Sequence, residues 1–135
     1  MPLVTDLMGL GMPPEQATAI SNETLSSAPS LSSSGTLTAA GSTITDALAL
    51  TSFVNLVGTA AASTGVKLPV DCPVGQAVYV ANNGANALRV YAQSSQTINT
   101  SIAGATGVSV ATTQAVQCIR QSSTNWIALL HTKAT

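Results

Sequence analysis

The sequence predicts an all-β protein, a small sandwich or jelly-roll-like barrel of about eight strands preceded by an arm. Three observations lead there. Between Gly75 and Leu130 apolar residues alternate with others and the alternation is interrupted by turn residues. In the first such unit Val78 and Val80 share one face of a strand and Ala77, Tyr79 and Ala81 the other. After Asn82-Asn83-Gly84-Ala85-Asn86, a cluster that supplies positive φ, Leu88, Val90 and Ala92 alternate with Arg89 and Tyr91, which reads as a hairpin. The third observation is a second hairpin, Ala115 to Gln121 and Asn125 to Leu130 around Ser122-Ser123-Thr124.

Upstream, residues 1–42 read as an N-terminal arm and 43–135 as the β-domain. Leu3, Val4, Leu7, Met8, Leu10 and Met12 form a dense apolar cluster, and Pro13-Pro14 then leads into a short helix through Ile20, with Pro14 at its first position and Glu15 complementing its dipole. So short a helix is stable only when docked, either on its own domain or on a partner. Ser26 to Thr45 is rich in Ser, Thr, Gly and Ala and reads as a linker or an extended arm whose main chain is able to join a sheet edge. Thr43 to Gly58 alternates as a strand pair, although Asp46 to Leu50 fits a helix as well. Gly65 to Pro69 ends a short strand, and Pro69, Pro73 and Gly75 turn the chain around Asp71-Cys72. In the last strand both faces are apolar: Trp126, Ala128 and Leu130 on one, Ile127 and Leu129 on the other. A strand covered on both sides lies in a core or beneath a partner subunit, and a closed homo-oligomer, with symmetry of three, is expected.

Composition points the same way. With 45% hydrophobic, 7% charged and 3% aromatic residues and a formal net charge of -1, the chain lacks the charged surface a monomer normally carries. Lys67, Arg89, Arg120 and Lys133 are too scattered to neutralise a phosphate backbone, so no nucleic acid partner is expected. No apolar run approaches the roughly 20 residues of a membrane span, so no membrane partner is expected either. The N-terminus has neither a basic region nor a continuous apolar core of the secretory kind, so synthesis and use without export are expected. On that ground Asn22-Glu23-Thr24 and Asn99-Thr100-Ser101 are accidental matches to the glycosylation tripeptide. Cys72 and Cys118 are then reduced, as two small buried hydrophobes, with a disulfide as the alternative.

Material for chemistry is sparse. His131 is the sole histidine and follows the last strand, which leaves no histidine-based metal site or triad. Asp6, Glu15, Glu23, Asp46 and Asp71 are dispersed rather than paired. Gly104-Ala105-Thr106-Gly107 has no Gly-Lys-Ser/Thr pattern and is a connecting turn. No catalytic residue, metal or cofactor is assigned, and the protein is not expected to be an enzyme. Tyr79, Tyr91 and Trp126 form either a sugar-stacking platform or, with Ile127, core and oligomer contacts.

Two stretches carry a resemblance. Leu7 to Ser21, LMGLGMPPEQATAIS, looks like the opening of small structural proteins of tailed phages. Val74 to Leu129, with VYVANNGANALRVY, TIN and NWIA, is similar to a β-module of phage head and tail accessory proteins. The resemblance implies a capsid decoration (cement) protein or head-fibre base, typically trimeric, made in the host cytoplasm and seated on the virion by its arm. Its partner would be the major capsid protein, gripped by Leu3, Leu7, Met8, Leu10, Met12 and Ile20. A tail-fibre or fibre-adaptor subunit and a host-surface carbohydrate-binding module are the alternatives.

Overall fold

The computed structural model describes residues 30–134, and within them the chain is all-β, without a helix. The short helix expected near Pro14 and the apolar cluster before it lie outside the described residues. The strands are β1 (Ser30–Thr38), β2 (Leu48–Ala49), β3 (Ser52–Thr59), β4 (Gly65–Lys67), β5 (Ala77–Asn82), β6 (Leu88–Tyr91), β7 (Thr97–Ile98), β8 (Ile102–Ala103), β9 (Val108–Val110), β10 (Gln114–Arg120) and β11 (Asn125–Thr132). They form a seven-stranded sheet, β1-β3-β5-β10-β11-β7-β8, and a four-stranded sheet, β2-β4-β6-β9.

The expected sandwich is present in the coarse sense of two sheets around one core; the jelly-roll-like barrel is not. Strands β1 to β6 alternate between the sheets, and β1, β3 and β5 stack in parallel in one sheet while β2, β4 and β6 stack in parallel in the other. These are three coils of a two-sheet solenoid, each one laid on the last. The chain then reverses: β9 runs antiparallel on β6, β10 antiparallel on β5, and β11 antiparallel on β10. Residues 30–38, within the stretch read as a linker or an extended arm, pair in parallel with the chain's own β3.

The two expected hairpins fare differently. β10 and β11 pair through Cys118 and Ala128 as expected. β5 and β6 do not pair, because the turn between them carries the chain from one sheet to the other. Alternation is satisfied either way: Val78 and Val80, and Leu88 and Val90, all face one interior, from opposite sheets. The strand pair expected over Thr43 to Gly58 fails for the same reason. Thr43 to Asp46 is a turn held by Asp46 Oδ1, which accepts from Thr43 N–H (2.8 Å) and Thr43 Oγ1 (2.6 Å), while β2 and β3 lie in different sheets.

What makes the β5–β6 turn a corner is Asn82, wholly buried. Its Nδ2 donates to Asn86 O and Val110 O, both at 2.9 Å, and its Oδ1 accepts from Gly84 N–H at 2.9 Å. One side chain thus saturates a turn that has no ladder partner and ties it to β9. The corner rests on the preceding one: Asn86 Nδ2 donates to Ala60 O at 3.0 Å, and a Cβ on Gly84 would come within 2.5 Å of Ala60 N. Only glycine permits that approach.

Between the sheets the core is built from small branched side chains, Val57, Val66, Val78, Val80, Leu88, Val90, Val110 and Val116, closed at one end by Trp126. The indole Nε1–H donates to Gln96 Oε1 at 2.8 Å, and the Arg120 guanidinium stands 5.9 Å from the ring centroid while donating to Val70 O and Cys72 O. Asn82→Ala removes three buried hydrogen bonds at the corner and is expected to cost about 3 kcal/mol, lowering the melting temperature by on the order of 10 °C. Asn82→Asp, which loses both donors and buries a carboxylate, should be worse. Urea and thermal unfolding of the two variants measure this; unchanged midpoints would show that the corner is held otherwise.

Candidate interaction surface

The outward side chains of β3, β5, β10 and β11 form three rows across the seven-stranded sheet. The strand registers place Val54, Tyr79, Gln117 and Leu129 in the central row. Leu56, Ala81, Ala115 and His131 lie on one side of it, and Ala77, Ile119 and Ile127 on the other. No Lys, Arg, Asp or Glu stands in these rows. Val54, Tyr79, Ile127 and Leu129 are between 37% and 50% exposed, far more than β-branched and aromatic residues in a finished core. At the centre Gln117 Nε2 donates to the Tyr79 hydroxyl at 3.1 Å. This is an uncharged, largely apolar face with a polar pair at its middle.

The residues singled out in the sequence divide accordingly. Tyr79 and Ile127 lie on this face, together with Val54 and Leu129. Tyr91 and Trp126 are buried within the chain, 4% and 1% exposed, so the three aromatics do not form a sugar-stacking platform. Tyr91 lies on the outside of the four-stranded sheet, its ring pressed over Gly65 and Gly107, where a Cβ would approach it to 2.6 and 2.9 Å. Its hydroxyl donates to Ser42 O at 3.1 Å. Leu3, Leu7, Met8, Leu10, Met12 and Ile20 lie outside the described residues. The sequence does not single out Val54, because Phe53 to Val57 is apolar at both parities but for Asn55 and gives no indication of which side faces out.

Two concavities accompany the sheets. One, of about 320 Å³, runs beside Tyr91 and is lined by Ser42, Ser63, Thr64, Arg89 and Ser109. The other, of about 280 Å³, opens between β1 and β2, with Leu37, Leu48, Leu50 and Asn55 on its walls. Neither brings an acid and a base together. Among the described residues no three of His, Cys, Asp or Glu converge as a metal site.

Cys72 and Cys118 are both buried and unpaired. Burial raises the thiol of each; for Cys72 the Arg120 charge opposes the rise, and for Cys118 the pKa is pushed up to about 12. Thiols held in the neutral form are poor nucleophiles, which leaves them as core packing. Compared with known protein families, curated proteins and solved structures, the chain matches no family model, no curated protein and no solved structure.

A raised folded-state pKa favours the protonated thiol, so the native form holds its proton where the unfolded chain has lost it. Stability from Cys118 is therefore intact below the ordinary thiol value of 9.0 and declines as pH rises from there towards about 12. The slope is about 1.4 kcal/mol per pH unit for one proton. Urea midpoints of the wild type and Cys118→Ala, measured from pH 8 to 11, should converge as pH rises; parallel curves would show that Cys118 ionises as freely in the fold as outside it.

Proposed function

We propose that this chain is a structural protein of a tailed-phage virion, a capsid decoration (cement) protein that binds the outer shell as an oligomer and stabilises it. The observation that supports the reading is the broad uncharged face of the seven-stranded sheet. A side chain such as Leu129 left 45% exposed beside Tyr79, Ile127 and Val54 favours adhesion over solubility. The resemblance of Leu7 to Ser21 and Val74 to Leu129 to phage accessory proteins supplies the setting, with the arm residues Leu3, Leu7, Met8, Leu10, Met12 and Ile20 as anchors on the major capsid protein.

The physical case for cement is linkage. Packaged DNA strains the shell, and a molecule bound across neighbouring capsomers adds a free energy that has to be lost before they separate. Because many copies act together, modest affinity at each contact suffices. The two-sheet body suits such a role, since its coils are tied strand to strand by backbone hydrogen bonds that share load.

One observation favours a tail-fibre or fibre-adaptor subunit as the second reading: the parallel coils end in the nine-residue edge strand β1, and stacked coils lend themselves to lengthening. Labelling virions with antibody or imaging them by cryo-microscopy separates the two. Density over the whole shell is expected for cement, whereas density at one vertex alone removes that reading. In the full chain Leu7→Asp with Leu10→Asp is expected to weaken attachment to purified capsids at least tenfold in apparent affinity while the β-domain remains folded. Unchanged stoichiometry on the shell would move the anchor out of the arm.

A further inference from the structure

We infer that the uncharged outer face of the seven-stranded sheet is the surface through which one copy of this chain packs against a second copy. The inference rests on the proposed oligomeric reading and names the surface that reading leaves open. Three features of the face favour a copy over another occupant.

The first is charge. The described charged residues stand outside the rows of this face, with Asp71 in the turn between β4 and β5. Asp46 and Arg89 belong to the side of the four-stranded sheet, and Lys67 is on β4 of that sheet. Arg120 is engaged with Val70 O and Cys72 O at one end of the body, and Lys133 is held by Asn82 O and Asn83 at the other. A partner that covers Val54, Tyr79, Ile127 and Leu129 without burying an unpaired charge has to be uncharged itself over the same area. A copy of this face meets that requirement by construction.

The second is the polar pair at the centre. The Tyr79 hydroxyl accepts from Gln117 Nε2, which leaves its own hydrogen and the second Nε2–H to donate and Gln117 Oε1 to accept. The Tyr79 hydroxyl hydrogen and Gln117 Oε1 complement one another across copies, so part of the hydrogen bonding lost at the middle of the face when water is excluded is replaced. A purely apolar occupant would strand both.

The third is size. Four strands about 4.8 Å apart and three rows about 6.8 Å apart give the face roughly 400 Å² in projection. That is within the range of the largest apolar patches on monomers, which are often functional. Two such faces cover about 800 Å² before the rim is added, the size of a weak and reversible contact. Self-association is therefore concentration-dependent in free solution and reinforced where many copies are held side by side on a surface.

The test uses the full-length chain. Sedimentation between about 1 and 300 µM should show wild-type self-association, weak as an interface of this size allows. Leu129→Lys and Tyr79→Lys, both at half-exposed positions, should weaken it at least tenfold, with Trp126 fluorescence and the far-ultraviolet spectrum unchanged. Ser109→Lys, on the outer side of the other sheet, should leave it as it is. A wild type that stays monomeric throughout, a Leu129→Lys chain that associates normally, or equal weakening by Ser109→Lys each overturns the inference. A photo-crosslinking residue at position 79 adds a positional readout: bridges to β3, β5, β10 or β11 of another copy support it, and bridges to residues 1–29 of the same chain overturn it. Association through this face by a protein that ignores capsids would leave the inference standing and remove the decoration reading.

Discussion

Parallel stacking of one coil on the next is the constraint on which the rest of the molecule depends. Once β3 is laid on β1 and β5 on β3, inward side chains sit in columns above their counterparts at the strand spacing, an arrangement that favours compact residues although Phe53 also packs there. Val57, Val66, Val78, Val80 and Val90 fill them, which accounts for a chain that is 45% hydrophobic but only 3% aromatic. The same stacking dictates the corners. Where the chain leaves one sheet for the other its backbone polar groups lose their ladder partners, and Asn82 and Asn86 replace them from within, the latter reaching down to Ala60 of the coil beneath.

That constraint also separates what the sequence discloses from what it conceals. Strand character, the β10–β11 hairpin and the burial of Val78, Val80, Leu88 and Val90 are local properties of alternation and turn chemistry, and all of them are legible. The partner of a strand is not local. Asn82-Asn83-Gly84 supplies the same positive-φ chemistry to a hairpin as to a coil corner, and what decides between them is Gly84 fitting against Ala60 and Asn82 reaching Val110, contacts the chain makes only when folded. The stacked repeat is further hidden because its intervals are unequal: Ser32, Val54 and Tyr79 in one sheet, Leu48, Val66 and Val90 in the other. Among the aromatics, alternation puts Tyr79 and Tyr91 at equivalent outward places. Only Gly65 and Gly107 make room for the Tyr91 ring to lie down and be buried, while Tyr79 stands in the open.

The reversal after β6 has a structural role of its own. A stack of parallel coils leaves an open interior and unpaired edges at each end, and both invite uncontrolled pairing. At the far end β9 and β10 cover the two strands of the last coil by running antiparallel to them, and Trp126 with Gln96 and Arg120 seals the interior. The remaining edges there, β8 and β9, are two and three residues long, too short to template another strand. At the near end β1 continues for nine residues, so the protection is directional: the molecule is finished on one side of the stack and not on the other.

The outer face of the seven-stranded sheet is a part that the core does not explain. Buried inward residues such as Val78 and Val116 answer to the core and corner residues to the backbone, but Val54, Ile127 and Leu129 lie outside the core, and threonine or lysine would serve strand geometry there equally well. Charges are the usual protection for an exposed sheet, and this chain does carry them on Lys67 and Arg89 of the smaller sheet. Their absence from three successive rows on the larger sheet is in keeping with the proposed contact of this face with a second copy. The Tyr79–Gln117 bond argues in the same direction, since a polar pair that satisfies itself in part is of little use in water and matters once water is excluded. A stack finished at one end and uncharged on its broad side suits the proposed role of a protein that works against other protein surfaces.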